Sequence, residues 1–159
     1  MRIERRIVAP GAPDRVWLVL WDVERLASCV PGCSDVRTVA ELHSYTATIA
    51  QRVGPFSVSF PLTIDVLDAE PPRLIRLEAT GLDRRVASSL KATLELSLAP
   101  LGNAEETALD IAADVIVTGK LGSLGQAVIT RKAEDNIAAF ATALAHLLDS
   151  PRPRLPEHA

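Results

Sequence analysis

Apolar and polar residues alternate with a period of two through the middle of the chain. The clearest stretch is 86–98, where apolar residues such as Leu90 and Leu94 share one face. The same alternation recurs in residues 3–9, 45–53, 56–66, 75–79 and 109–117. Because successive side chains of a strand point to opposite faces of a sheet, the pattern predicts an antiparallel sheet with one apolar and one solvated face.

The period changes to that of a helix at both ends of this region. Residues 121–148 place leucine, valine, isoleucine and phenylalanine at helical spacing, which predicts an amphipathic helix of about seven turns. Near the N-terminus, Pro13 and Asp14 precede one short helical pattern, and residues 23–28 form a second. We therefore predict an α+β protein with a curved antiparallel sheet of about six to seven strands wrapped around a long C-terminal helix. The two short helices follow the first strand.

The length of the chain fits this order of elements. A chain of 159 residues is the size of one ordinary domain, which we expect to span 1–150. Pro151 and Pro153 end the helical pattern, and residues 151–159 are expected to be a disordered tail. A sheet wrapped around a helix encloses an inner space with aliphatic walls. The alternation does not decide whether side chains or a ligand fill that space.

Composition and charge narrow the possible functions. The chain has 17 basic and 20 acidic residues, a net charge of −3, and only 4% aromatic residues. A nucleic-acid-binding domain usually has an excess of basic residues and stacking aromatics, so this class is disfavoured. No stretch reaches the roughly 18–20 apolar residues of a transmembrane helix, and no signal peptide is recognisable. We expect a cytoplasmic protein without a transmembrane span.

Candidate catalytic and metal-binding residues are sparse. His43, His146 and His158 lie far apart in the sequence, and no two of them have the spacing of a metal motif. Acidic residues of the predicted strands, such as Glu78 and Glu95, fall on the solvated face. We therefore predict no metal site, no catalytic residue and no cofactor.

Three local features each allow two interpretations. Cys29 and Cys33 flank a tight turn, where we expect two free thiols that either pack as small apolar groups or face a ligand. Trp17 and Trp21 share one helix face and either pack in the core or cover the mouth of a cavity. The glycines within 119–125 lack the spacing of a nucleotide-binding loop, which favours close packing over anion binding at the helix start.

The element order and several short motifs together resemble the CoxG family of carbon monoxide dehydrogenase subunits, within the START-like, SRPBCC superfamily. With the strands between them, these motifs cover residues 3–148. They are Val8-Ala9-Pro10 followed by Pro13 and Val16-Trp17, Cys29-Val30-Pro31-Gly32-Cys33, Val53-Gly54-Pro55-Phe56, and Val117-Thr118-Gly119-Lys120-Leu121-Gly122 with Leu124-Gly125 and the later Phe140. The resemblance implies a helix-grip fold, in which the long helix closes a lipophilic cavity against the sheet.

The resemblance also implies a function. Members of the family are accessory proteins of molybdenum hydroxylases, associated with attaching the enzyme to the membrane or with carrying a quinone or other isoprenoid. On this basis we expect a non-catalytic protein that binds a quinone or lipid in an apolar cavity and assists a molybdenum hydroxylase. Any contact with the inner face of the membrane would be peripheral and made through that partner.

We expect the walls of the cavity to be apolar side chains of the sheet and of the long helix, which contribute burial rather than chemistry. These residues are Phe56, Val58, Phe60, Leu90, Leu94, Ile111, Val115, Leu124, Val128 and Phe140. One alternative is a cyclase or dehydratase of the same superfamily, for which Tyr45, Gln51 and His43 are the candidate acids or bases. The other is a docking subunit that binds no ligand.

Overall fold

The computed structural model describes residues 1–103 and 105–149, which form seven strands, three α-helices and one short 3₁₀ helix. The predicted tail 151–159 lies outside the described residues. In chain order the elements are β1 (Arg2–Pro10), α1 (Pro13–Leu20), α2 (Val23–Ser28), β2 (Cys33–Ala40), β3 (Ser44–Val53), β4 (Phe56–Glu70), β5 (Leu74–Asp83), β6 (Ser88–Leu101), β7 (Glu106–Gly119), the 3₁₀ helix (Leu121–Leu124) and α3 (Gln126–Asp149).

All seven strands belong to one antiparallel sheet in the order β1-β7-β6-β5-β4-β3-β2. From β2 onward each strand pairs with the next along the chain, and β1 completes the sheet beside β7, where Ile3 lies opposite Ala113. The predicted α+β architecture is therefore confirmed. The alternation did not reveal β2, because this edge strand is mostly exposed and its pairing with β3 is interrupted by register shifts.

The start of the long helix differs from the prediction. Residues 121–124 form a separate 3₁₀ helix, and α3 begins only at Gln126. Gly125 separates the two with a φ of +101°, a conformation that residues with a side chain rarely adopt. Gly119 supports the packing interpretation, since a Cβ there would collide with the carbonyl oxygen of Ala87.

The hydrophobic core is divided into two clusters along α3. In the larger cluster, residues of the C-terminal half of α3 such as Leu144 pack against α1, β6 and β7, where Leu109 is fully buried. In the smaller cluster, Ile129 near the start of α3 packs with Phe60 and Leu121. The helix thus crosses the concave face of the sheet from one cluster to the other.

Candidate functional site

A cavity of about 270 Å³ adjoins both core clusters. Leu20 and Phe140 of the larger cluster and Leu62 of the smaller cluster contribute to its wall. The strands β3 to β7 supply the floor, α3 covers it, and α1, α2 and the turn before β2 close one side. We call this space the larger cavity.

Small side chains in the centre of the sheet leave room for the larger cavity. Ala79 on β5 lies directly opposite Ala92 on β6, and Ala113 on β7 lies opposite the neighbouring Leu94. All three alanines line the cavity. A methyl group fills less space than the leucine and isoleucine side chains of the two core clusters, so these positions leave space above the sheet.

A smaller cavity of about 90 Å³ lies beside the larger one, against the smaller core cluster. Val53, Leu121 and Ile129 contribute to its wall, and Lys132 supplies a charged side chain. The two cavities have several lining residues in common, which are Ile49, Leu90, Val115, Ala133 and Asn136.

Few polar groups reach the larger cavity. Its lining within the described residues includes Cys33, Tyr45, Thr93 and Asn136, but no side chain that is charged at neutral pH. Because an ionised ligand group would be costly in such a space without a counter-charge, the surroundings favour an uncharged ligand.

A chain of hydrogen bonds runs across one side of the cavities. Asn136 Nδ2 on α3 donates to Gln51 Oε1 on β3 at 2.8 Å, and Gln51 Nε2 donates to the carbonyl oxygen of Pro31, also at 2.8 Å. The chain therefore ties the helix, the sheet and the turn between the two cysteines together. Each hydrogen bond in it contributes about 1 kcal/mol to stability.

The three candidate residues of the enzyme hypothesis do not come together. Tyr45 is buried and its hydroxyl oxygen accepts a hydrogen bond from the backbone N–H of Leu42 at 2.9 Å. His43 is exposed in the turn between β2 and β3. Gln51 lies six residues further along β3 than Tyr45, which separates the two by about 20 Å.

The two cysteines occupy different environments, and both are free thiols. Cys29 is buried in the larger core cluster, whereas Cys33 is half-buried and lines the larger cavity. Burial raises the pKa of both thiols above the ordinary value. A protonated thiol is a weak nucleophile, so Cys33 contributes a polarisable wall at neutral pH rather than a reactive group.

Six of the residues predicted to form the walls border the two cavities. Leu90, Leu94, Val115 and Phe140 line the larger cavity. Val58 and Phe60 line the smaller one, which Leu90 and Val115 also border.

The other four predicted wall residues lie elsewhere. Ile111 is fully buried within the larger core cluster, and Phe56 and Leu124 pack against the smaller one. Val128 is 41% exposed and borders neither cavity, because its neighbour Ile129 takes the inward position in the first turn of α3.

Sequence reasoning missed two kinds of residue at this site. The first is Asn136, which shares a helix face with the inward-facing Ile129 and Phe140, at spacings of seven and four residues. Its place on the apolar face of the helix could have identified Asn136 as a cavity residue from the sequence. The second kind comprises Leu26 and Val30, which line the larger cavity from α2 and the following turn, a placement that no sequence period indicates.

A buried carboxylate lies at the end of β5, outside the cavities. Asp83 is only 2% exposed and accepts hydrogen bonds from the backbone N–H groups of Ser59 at 2.8 Å, Arg85 at 3.0 Å and Val86 at 3.4 Å. The bond from Ser59, supported by the other two and by the charge of Arg85, lowers the pKa of Asp83. Asp83 therefore holds the turn between β5 and β6 against β4.

The described residues contain neither a group of metal ligands nor a membrane-spanning helix. Within 1–103 and 105–149, no three or more His, Cys, Asp or Glu side chains are grouped as metal ligands would be. No helix in this part of the chain is both long enough and apolar enough to span a membrane.

Comparison with known proteins gives one family match. A family model described as the carbon monoxide dehydrogenase CoxG subunit matches residues 6–148. No curated protein sequence matches the chain significantly.

Solved structures with the same fold are numerous. A conserved protein from Geobacillus kaustophilus superimposes with a TM-score of 0.81 at 23% identity, covering 93% of this chain and 95% of its own. The Zhui aromatase/cyclase from Streptomyces sp. R1128 gives 0.68 at 19% identity, covering 93% of each chain. Truncated norcoclaurine synthase from Thalictrum flavum gives 0.62 at 12% identity, covering 93% of this chain and 92% of its own. At these identities the likeness establishes the fold alone, which is that of START-like proteins.

Proposed function

Because the chain belongs to the carbon monoxide dehydrogenase CoxG family, we propose that it is a non-catalytic accessory protein that binds a quinone or an uncharged lipid. The ligand occupies the larger cavity. The protein assists a molybdenum hydroxylase, and it reaches the inner face of the cytoplasmic membrane through that partner. The family match supports the choice of partner, and the apolar lining of the cavity supports the ligand class.

The observation that carries the proposal is an apolar space of about 270 Å³ in the middle of the domain. Protein interiors are otherwise close-packed. An apolar ligand that displaces water from these walls gains roughly 25 cal/mol for each Å² of apolar surface it covers. The apolar lining therefore favours an apolar occupant over water.

The lining also limits the chemistry of the ligand. Aliphatic side chains from the sheet face α3 across the cavity, and Trp21 and Phe140 add aromatic surface. A flat ring or a branched hydrocarbon chain would contact both walls at once. A charged headgroup would have to lie outside the larger cavity, for example near Lys132 at the smaller one.

The test is to identify the ligand that the protein carries. The full chain is purified from a quinone-containing host, extracted with organic solvent and measured by mass spectrometry. We expect about one quinone or lipid molecule per chain, and less in Ala92→Leu, which fills part of the cavity. An empty extract, together with no binding of added menadione, would contradict the proposal. A stable complex with the hydroxylase in the absence of any small molecule would then favour a docking subunit.

The enzyme alternative has narrower support. It rests on Tyr45, which borders the larger cavity and whose hydroxyl proton is not used in its hydrogen bond with Leu42. Turnover of a bound ligand that is lost in Tyr45→Phe, while ligand binding persists, would favour this alternative over the carrier.

A further inference from the structure

Of the five described residues that border both cavities, Asn136 is the one with a polar side chain. It is half-buried on the inward face of α3, one helical turn before Phe140 and one turn after Lys132. Apolar residues make up most of the wall around it, which makes the orientation of its amide group important for any ligand in this space.

The hydrogen-bond chain determines that orientation. The carbonyl oxygen of Pro31 can only accept a hydrogen bond, so Gln51 must present its amide nitrogen to it. Gln51 Oε1 is then turned towards α3, and Asn136 must donate to it through Nδ2. Reversing either amide would bring two acceptors or two donors together.

This arrangement leaves Asn136 Oδ1 as an acceptor. Among residues 1–103 and 105–149, no group donates a hydrogen bond to this oxygen. The second N–H of Nδ2 is likewise unused within the described chain. In the half-buried position of Asn136, water can donate to this oxygen in the free protein, so a ligand that displaces that water must supply a donor or lose the hydrogen bond.

We propose that Asn136 recognises the polar end of the ligand and prefers a hydroxyl group to a carbonyl group there. The inference rests on the proposed function, since it concerns the same cavity. A hydroxyl donates to Oδ1 and also accepts from the free N–H of Nδ2. A carbonyl accepts only, and leaves Oδ1 without a partner. A ligand of the quinone class is therefore held more tightly in its reduced, hydroxyl-bearing form.

The competing polar group is Lys132, which borders the smaller cavity. A ligand with a carboxylate head would be drawn to this ammonium group instead of to Asn136. The proposed selectivity for an uncharged hydroxyl therefore predicts that an acidic analogue of the same ring binds no more tightly than the hydroxyl compound.

Three small probes test the inference on the full chain by isothermal titration calorimetry. They are 1-naphthol, 1-methoxynaphthalene, which cannot donate a hydrogen bond, and 1-naphthoic acid. We expect 1-naphthol to bind about tenfold more tightly than the ether, the effect of one buried hydrogen bond. In Asn136→Leu the preference disappears because affinity for 1-naphthol falls, while affinity for the ether is nearly unchanged.

Two further variants make the outcome decisive. Cys33→Ala removes another polar group of the larger cavity, opposite the inward-facing Ile49, and is expected to retain the preference for 1-naphthol. Gln51→Met releases the amide of Asn136 and is expected to weaken the preference, which provides a second test if Asn136→Leu does not fold. Loss of the preference in Cys33→Ala alone, or tightest binding of 1-naphthoic acid through Lys132, would overturn the inference.

The results also separate the two proposals. If the wild-type protein binds none of the three probes and carries no native ligand, both the proposed function and the inference fail. If it binds 1-naphthol and the ether equally, the carrier proposal stands and the role of Asn136 is wrong.

Discussion

The indole rings of Trp17 and Trp21 pack edge to face, with centroids 5.6 Å apart and planes at 88°. Trp17 is buried in the larger core cluster, whereas Trp21 borders the larger cavity. Trp17 therefore fits the core interpretation, whereas Trp21 packs against the same cluster and also lines the cavity. Because these are the two tryptophans of the chain, each reports on a different environment.

Tryptophan fluorescence should detect ligand binding through Trp21. An aromatic ligand such as 1-naphthol will change the emission of the wild-type protein, and Trp21→Phe is expected to remove most of that change. Trp17→Phe is the matched control. It should keep the response but lower the free energy of unfolding by about 2 kcal/mol, because a buried ring is made smaller. An unchanged response in Trp21→Phe would mean that the ligand binds elsewhere.

Filling the larger cavity should lower the affinity for ligand and at the same time raise the stability of the fold. In Ala92→Leu the added carbons occupy apolar space, so we expect ligand affinity to fall at least about tenfold while the free energy of unfolding rises by about 1 kcal/mol. Ala99→Leu, at the exposed end of the same strand, should change neither quantity appreciably. Titration calorimetry and urea denaturation measure the two effects. A destabilised Ala92→Leu would indicate that the space is smaller than its walls suggest.

Alkylation of Cys33 should depend on both pH and ligand. In Cys29→Ser, where Cys33 is the remaining thiol, the rate with iodoacetamide should be low at neutral pH and keep rising above the ordinary thiol pKa of about 8.5, because burial disfavours the thiolate. A ligand at about ten times its Kd should slow the reaction about tenfold. Cys33→Ser provides the control, since Cys29 is packed in the core and its rate should not respond to ligand.

The contribution of Asp83 to the stability of the fold should be lost at acid pH. Its pKa is lower in the folded than in the unfolded chain, so its contribution is fully present above the unfolded pKa, about 3.9, and is lost as the pH falls through the folded value. We expect Asp83→Asn to lower the free energy of unfolding by about 2 kcal/mol at pH 7, because backbone donors lose their carboxylate acceptor. The difference from wild type should shrink below about pH 4.

The matched control for Asp83 is Asp110, whose pKa is also lowered, in this case by hydrogen bonding to Arg6. This ion pair is exposed, so Asp110→Asn should cost less than about 1 kcal/mol. Chemical denaturation of both variants across pH measures the contrast. Equal effects for the two variants would contradict the structural role assigned to Asp83.

The sequence predicted those parts of the site that depend on a regular period. Leu90, Leu94 and Val115 face the cavity because alternation assigns every second residue of a strand to the inner face. Val128 instead borders neither cavity, since one residue of difference turns a helical side chain by about 100° and Ile129 takes the inward position. Gly125 explains the error at the start of the helix, because its left-handed backbone interrupts the helical period.

The sequence by itself therefore determined the α+β architecture, the apolar inner face and the resemblance to a family, all of which follow from local periods and short motifs. Only the tertiary structure decided that the core leaves a cavity. That outcome depends on which side chains meet across strands and helix, such as Ala79 beside Ala92. Equally non-local is the alignment of Asn136 with Gln51 and Pro31, since hydrogen bonds between residues far apart in the chain require that the fold first bring them within reach.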